Sequence, residues 1–151
     1  MAGAAGIGLL LFGRQSGASA STRFGVNRTP AQWRNMLGAE RYWILREAGT
    51  ERAFTSPLLS EHRKGTFICA GCALPLFSSA TKFDSGTGWP SFWKPLPNAV
   101  VTKSDRSLLM ERTEVLCARC GGHLGHVFDD GPKPTGLRYC MNGLALNFRA
   151  A

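Results

Sequence analysis

Two Cys-x-x-Cys pairs, Cys69/Cys72 and Cys117/Cys120, stand 44 residues apart (73 to 116) in a chain of 151. Each pair can present two thiolates from one tight turn. Together they supply the tetrahedral four-sulfur set that zinc prefers, at about 2.3 Å per bond. The interval is longer than that of a zinc ribbon, so a shared site pins two distant parts of the domain together. With all four positions filled by protein, such a site is structural and not catalytic. Three other uses of these residues compete. Two disulfides would suit an exported protein. A redox-active Cys-x-x-Cys goes with an alternating βαβ pattern, which the chain lacks. Cys117, Cys120, His123 and His126 could form a Cys2His2 site alone, leaving Cys69 and Cys72 without a role.

The fifth cysteine, Cys140, lies outside both pairs. An unpaired thiol in a chain with histidines elsewhere is a candidate nucleophile. Arg138 stands two residues before it, on the same face of an extended segment, and a guanidinium beside a sulfhydryl favours the reactive thiolate. The plainer use of Cys140 is as a small buried hydrophobe between Tyr139 and Met141. If zinc takes only cysteines, His123 and His126 are free for acid–base work. They frame Leu124-Gly125, where the glycine could bend the backbone so that both rings face one cleft. A histidine titrates near neutrality and can protonate an oxygen as it leaves; two half-buried histidines bonded to backbone carbonyls are the structural alternative. Gly86-Thr-Gly-Trp-Pro-Ser-Phe92 is not a phosphate loop, because no Gly-Lys-Ser/Thr follows at the required spacing. A tryptophan presented on glycines can wall a small apolar group such as a methyl, whereas Trp89, Phe92 and Trp93 could equally be core aromatics.

The length allows one domain with a real core, and 44% hydrophobic with 19% charged residues describes a folded globular protein. Eighteen glycines and eight prolines point to many turns and a β-rich fold. The net charge of +8 is scattered without a basic run, so it reads as a solvated surface and not as a nucleic-acid or membrane patch. Residues 1–20 are set apart. Ala4 to Phe12 is apolar but too short to span a bilayer, and Ala18-Ser19-Ala20 has the small-residue pattern of a signal-peptidase site, although the usual basic n-region is missing. This stretch is a truncated signal peptide or a disordered tail. The first implies an exported, periplasmic protein; the second leaves it in the cytoplasm. Residues 21–28 read as a linker and 29–151 as the domain.

Within that domain, Thr29 as N-cap and Pro30 at the first helical position start a helix that carries Trp33 and Leu37 inward and stops near Gly38. A second helix runs from about Glu40 to Ala48. Strands follow at Thr66 to Cys69 and Leu74 to Phe77. A hairpin of Val100 to Lys103 and Ser107 to Glu111 turns at Ser104-Asp105-Arg106. Glu114 to Cys117, Leu137 to Met141 and Leu144 to Phe148 complete the set.

Several blocks, taken together, resemble the B-type methionine sulfoxide reductases, which reduce the R epimer of methionine sulfoxide. They are Gly49-Thr-Glu51, both Cys-x-x-Cys pairs, Gly88-Trp-Pro-Ser-Phe92, Gly122-His-Leu-Gly-His-Val-Phe128, Asp130-Gly-Pro-Lys-Pro-Thr-Gly136 and Arg138-Tyr-Cys-Met-Asn142. The likeness runs from about Thr29 to Phe148. It implies a mainly β fold of two antiparallel sheets, tent-like, with short N-terminal helices and one structural zinc on Cys69, Cys72, Cys117 and Cys120. It further implies Cys140 as nucleophile and Trp89 as the wall for the substrate's ε-methyl, with Phe128 also against the substrate. His123, His126 and Asn142 hold and protonate the sulfoxide oxygen, and Arg138 sets the electrostatics of the thiolate.

The implied product on the enzyme is a Cys140 sulfenic acid, the first rung of cysteine oxidation. Many members carry a resolving cysteine where this chain has Thr87. The resemblance therefore implies recycling by an external thiol, either a small one or a thioredoxin-like protein, and no intramolecular disulfide. Gly143 stands where serine is frequent. The implied partners are oxidised proteins or peptides and that reductant, met by a monomer with no nucleic acid and no stable membrane insertion. Two other classes compete: a zinc module that uses its basic surface on nucleic acid, and a thiol–disulfide oxidoreductase with one Cys-x-x-Cys free of metal.

Overall fold

The computed structural model describes residues 24–151. The signal-like tail expected at 1–20, and the site of action that hangs on it, lie outside the described residues. Helix α1 (Pro30–Leu37) opens on a capping box. Thr29 Oγ1 accepts from the Gln32 N–H at 3.2 Å, and Gln32 Oε1 accepts from the Thr29 N–H at 2.9 Å. Gly38, at φ +78°, turns the chain straight into α2 (Ala39–Glu47). Trp33 points inward, only 2% exposed, and Leu37 packs partly buried against the core. From α2, Tyr42, Ile44 and Leu45 are buried.

Beyond the helices the fold is β, in the two antiparallel sheets expected. A three-stranded sheet sets β1 (Gly65–Cys69) between β2 (Pro75–Ser78) and the last strand, β9 (Leu146–Ala150). The other sheet has six strands. In spatial order they are β3 (Lys82–Phe83), β4 (Ser91–Phe92), β8 (Arg138–Met141), β7 (His123–Phe128), β6 (Arg112–Cys117) and β5 (Val100–Asp105). The sheets meet on aromatic rings. Phe92 of the large sheet stacks on Phe77 of the small one at 4.4 Å and meets Phe67 edge-on at 4.9 Å, all three fully buried. Such pairs add about 0.5–1.5 kcal/mol each beyond the area they bury.

Two strand boundaries and one bend differ from expectation. The second arm of the β5–β6 hairpin is Arg112–Cys117, not Ser107–Glu111, and the strands pair from Val100↔Cys117 to Asp105↔Arg112. The Asp105 carboxylate accepts the Ser107 N–H at 2.9 Å, which turns the chain at once into a short 3-10 segment, Ser107–Leu109. The final strand begins two residues late because Gly143–Ala145 is also a 3-10 turn, held by Glu51 Oε1 accepting the Leu144 N–H at 2.8 Å. Finally, His123–Phe128 is a strand, where a bend at Gly125 was expected.

Candidate active site and metal centre

Cys69 ends β1 in the small sheet and Cys117 ends β6 in the large one. The four paired cysteines therefore join the ends of an inner strand of each sheet. Their sulfurs all lie within 4.8 Å of one another, with Cys69–Cys120 at 3.7 Å and Cys72–Cys117 at 3.5 Å. A tetrahedral ion with 2.3 Å bonds to sulfur needs S···S separations of about 3.8 Å, so the four residues are placed to hold a metal ion. All are free thiols, and the paired-disulfide reading falls away. The Cys2His2 alternative also falls, because both histidines are held by carboxylates elsewhere.

Crowding without a cation sets these thiols against each other. Cys117 is pulled down, first by its hydrogen bond with Cys120, while the same bond pushes Cys120 up and bonds to both push Cys69 up. A bound dication removes that conflict by stabilising every thiolate at once.

The second centre lies where β8 passes between β4 and β7. Cys140 pairs with Ser91 on one side and with His126 on the other. Gly125 fits that passage for steric reasons: a Cβ there would lie 2.0 Å from the Cys140 carbonyl oxygen. The glycine thus permits close backbone approach and does not bend the strand. A β-bulge brings the histidines to one face instead. In β7, Leu124 is the extra residue between the pairs Leu116↔His123 and Val115↔Gly125. One inserted residue reverses the alternation of faces, so histidines three apart face each other with ring centroids 5.5 Å apart.

Each imidazole is held by a carboxylate. Glu114 Oε2 lies 2.6 Å from His123 Nδ1, and Asp105 Oδ2 lies 2.8 Å from His126 Nε2. A carboxylate accepts, so these nitrogens carry the protons, and His126 offers Nδ1 to a bound molecule. His123 Nε2 is buried without a partner. Burial lowers the pKa of His126, against the raising pull of Asp105. The hydrogen bond to His123 lowers Glu114, and Asp105 is lowered first by the Ser107 N–H and then by His126.

Cys140, His126, Asn142, Trp89 and Phe128 line one cleft of about 110 Å³, together with Arg112. That volume suits the end of a side chain and not a drug-sized ligand, which needs about 300 Å³ or more. A larger cavity of about 580 Å³ beside α2 contains no cysteine or histidine, so the chemistry belongs to the smaller one. Trp89 follows Gly88, whose φ of +99° few other residues adopt. Its Nε1 donates to the Glu51 carbonyl at 3.0 Å. Asn142 accepts the Glu51 N–H at 2.9 Å and donates to the Leu124 carbonyl at 3.1 Å, leaving one amide hydrogen for the cleft. Of the aromatics in this loop, Phe92 is core while Trp89 borders the cleft.

Two candidates stand back from the cleft. His123 is behind His126, 3% exposed. Arg138 grips Asp130 with two bonds of 2.9 and 3.0 Å and lies 4.4 Å over the Phe128 ring. Its effect on the thiol is therefore smaller than its spacing implied. Burial pushes the Cys140 thiol up, and this outweighs the lowering by Arg138 and by the Thr87 hydroxyl. Sequence reading missed Glu114, Asp105 and Arg112, which hold or border the histidines, and Glu51, whose backbone fixes Trp89 and Asn142. A carboxylate facing a histidine across two strands leaves no local signature; only Glu51 fell within a block singled out beforehand.

Residues 37–150 match the SelR domain. The chain is 56% identical over 125 residues to the peptide methionine sulfoxide reductase MsrB of Leptospira interrogans, covering 82% of this chain and 95% of that one. It is 58% identical over 122 residues to the MsrB of Thiobacillus denitrificans, at 80% and 92% coverage. Against the chloroplastic peptide methionine sulfoxide reductase B1 of Arabidopsis thaliana it is 54% identical over 120 residues, spanning 79% of this chain and 59% of the plant protein.

Proposed function

The chain belongs to the SelR-domain family that includes these peptide methionine sulfoxide reductases, and from that premise we propose that it reduces methionine-R-sulfoxide to methionine through Cys140. The observation that carries this reading is the pairing of Cys140 with His126 in a cleft walled by Trp89 and Phe128. The aromatic walls suit the substrate's methyl and methylene groups. The remaining Asn142 amide hydrogen can donate to its oxygen, Arg112 also lines the cleft, and His126 Nδ1 becomes a donor once it has taken a proton.

Both central groups are neutral at rest, since burial raises Cys140 and lowers His126. His126 takes the Cys140 proton as the sulfoxide settles, and Asp105 stabilises the imidazolium at 2.8 Å. The thiolate attacks the sulfoxide sulfur while His126 returns the proton to its oxygen. The S–O bond breaks as a Cys140–methionine S–S bond forms. The released hydroxide then attacks Cys140 Sγ, breaking the S–S bond so that methionine leaves with its electron pair. Methionine sulfur gains two electrons, Cys140 loses two, and the oxygen ends on Cys140 as sulfenic acid. His123, fixed by Glu114, orients His126 from behind.

Every other cysteine of the chain lies in the four-sulfur cluster, and Thr87, whose hydroxyl lowers the Cys140 thiol, offers no second sulfur. Recycling therefore uses an external thiol. It attacks the sulfenic acid, releasing water and leaving a mixed disulfide, and a second thiol then frees Cys140. Zinc is the ion we assign to Cys69, Cys72, Cys117 and Cys120. It supplies a structural clamp between the sheets and no reaction chemistry.

The test is turnover of the separate R and S epimers with dithiothreitol by wild type and Cys140→Ser. Turnover of R alone, lost in the variant, is expected. Turnover of neither epimer by folded, metal-loaded protein would overturn the reading.

A further inference from the structure

The tip of the β5–β6 hairpin holds three consecutive apolar side chains out in water: Leu108 is 74% exposed, Leu109 105% and Met110 52%. Leu108 and Leu109 both adopt left-handed backbone, at φ +57° and +56°, which disfavours any residue with a branched side chain. Strain and exposure both oppose this arrangement, so the surrounding structure must impose it. The Ser107 N–H donates to Asp105 Oδ1 at 2.9 Å, and Arg112 Nη2 donates to Asp105 Oδ2 at 3.2 Å and to Ser107 Oγ at 3.3 Å. The same two braces define the catalytic side. Asp105 holds His126, and Arg112 lines the cleft. The apolar tip therefore springs from the two residues that brace the rim of the site.

That cleft admits only the end of a side chain, so the backbone of a peptide substrate and its neighbouring side chains must lie over the rim. An extended chain advances about 3.3–3.6 Å per residue, so residues one to three positions from the sulfoxide lie roughly 3–11 Å from it, outside the cleft. Methionine is characteristically a residue of apolar cores, and an oxidised one becomes accessible in a loosened segment with apolar neighbours. The charges near the tip are mixed, Lys103 and Arg106 against Glu111, which suits a polypeptide better than an anionic lipid surface. We propose that Leu108, Leu109 and Met110 form a docking subsite for apolar residues flanking the oxidised methionine in unfolded or flexible polypeptide. This rests on the reading of the Cys140 cleft as the sulfoxide site and deepens it to a substrate class.

The experiment is made in the full chain with the double variant Leu108→Gly/Leu109→Gly. Glycine accepts left-handed backbone freely, so the variant should unfold at the same temperature as wild type or higher, and lost activity cannot be ascribed to misfolding. kcat/KM is measured for free methionine-R-sulfoxide, for a peptide with leucine and valine beside the R-sulfoxide, and for one with glycine and serine there. The expected result is about a tenfold fall on the apolar-flanked peptide, with the other two substrates unchanged. An unchanged ratio between the two peptides, or an equal fall on all three substrates, overturns the inference. Co-sedimentation with phosphatidylserine–phosphatidylcholine vesicles that only wild type shows, with that ratio unchanged, would assign the tip to a membrane surface instead. No turnover of any R-sulfoxide by wild type would overturn the reading of the cleft itself, and the inference with it.

Discussion

Four cysteines in one region of this domain and one cysteine in another have the same side chain and opposite surroundings. Cys69, Cys72, Cys117 and Cys120 crowd within 4.8 Å of one another at the junction of the two sheets. Their neighbours are sulfurs, so the thiols compete for protons and a single dication settles the competition by holding all four. Cys140 lies within the six-stranded sheet between Ser91 and His126, outside the four-cysteine group. Burial holds its proton on, and the group able to take that proton is the imidazole on the next strand. On the proposed reading, fate follows from neighbours: four clustered cysteines can hold a metal ion as a clamp, and the lone buried thiol beside a base serves as nucleophile. Exposure alone does not separate the two regions, because Cys72 and Cys140 are both only partly buried.

The largest effects should separate the regions cleanly. Cys117→Ser should abolish metal binding and with it cooperative thermal unfolding, since structural zinc contributes about 10–16 kcal/mol of apparent binding free energy in small domains. Cys140→Ser should keep the metal and unfold within a few degrees of wild type, yet lose turnover by about 10³-fold or more. Metal analysis, a melting curve and an activity assay on both variants check this, and metal loss in Cys140→Ser would break the comparison.

Next comes the base. His126→Gln should lower kcat by about 10²–10⁴-fold with metal and stability intact. Smaller, and felt in the fold as well as the chemistry, is Gly125→Ala. Its methyl would meet the Cys140 carbonyl oxygen at 2.0 Å, so β8 must shift. A loss of about 1–3 kcal/mol in denaturant unfolding should accompany reduced turnover.

Smaller again is Asp130→Asn. In wild type the pH midpoint for iodoacetamide alkylation of Cys140 should lie above the ordinary thiol value of 9.0. Releasing Arg138 from Asp130 should move it downward; an unmoved midpoint would remove Arg138 from the electrostatics of the site.

The least effect is on stability against pH. In the folded chain His126 is lowered from 6.5 by burial, Glu114 from 4.5 by its bond to His123, and Asp105 from 3.8 chiefly by the Ser107 N–H. Each is depressed, so the unfolded chain binds protons first as pH falls. Stability is full above the histidine range and declines in two stages, below 6.5 and again below 4.5. Urea unfolding between pH 8 and 4 should show the first stage vanish in His126→Gln.

The metal cluster was nearly complete in the sequence, because ligand spacing within each pair is a local property. Cys140, Trp89 and the two histidines were also legible as residues, through blocks whose order resembles one family. Their geometry was not. The bulge at Leu124 that turns both histidines to one face depends on register against β6, and Glu114 reaches its ring from the next strand while Asp105 reaches the other from β5, two strands away. Spacing alone placed Arg138 beside a thiolate, but it could not reveal that Asp130 would hold the guanidinium and that burial would outweigh it. The hairpin boundary was misread for a similar reason: Asp105 closes a turn on Ser107, and two leucines then take a conformation that sequence preference assigns to glycine.

The most direct test is a single turnover without reductant. Metal-loaded protein is mixed with one equivalent of methionine-R-sulfoxide and the sulfenic-acid reagent dimedone, and both the methionine released and the labelled cysteine are measured. One methionine per chain, with dimedone on Cys140 alone and the metal retained, is the predicted result; the S epimer should give neither. Release of metal with label on Cys69, Cys72, Cys117 or Cys120 would contradict the division of labour between the two regions.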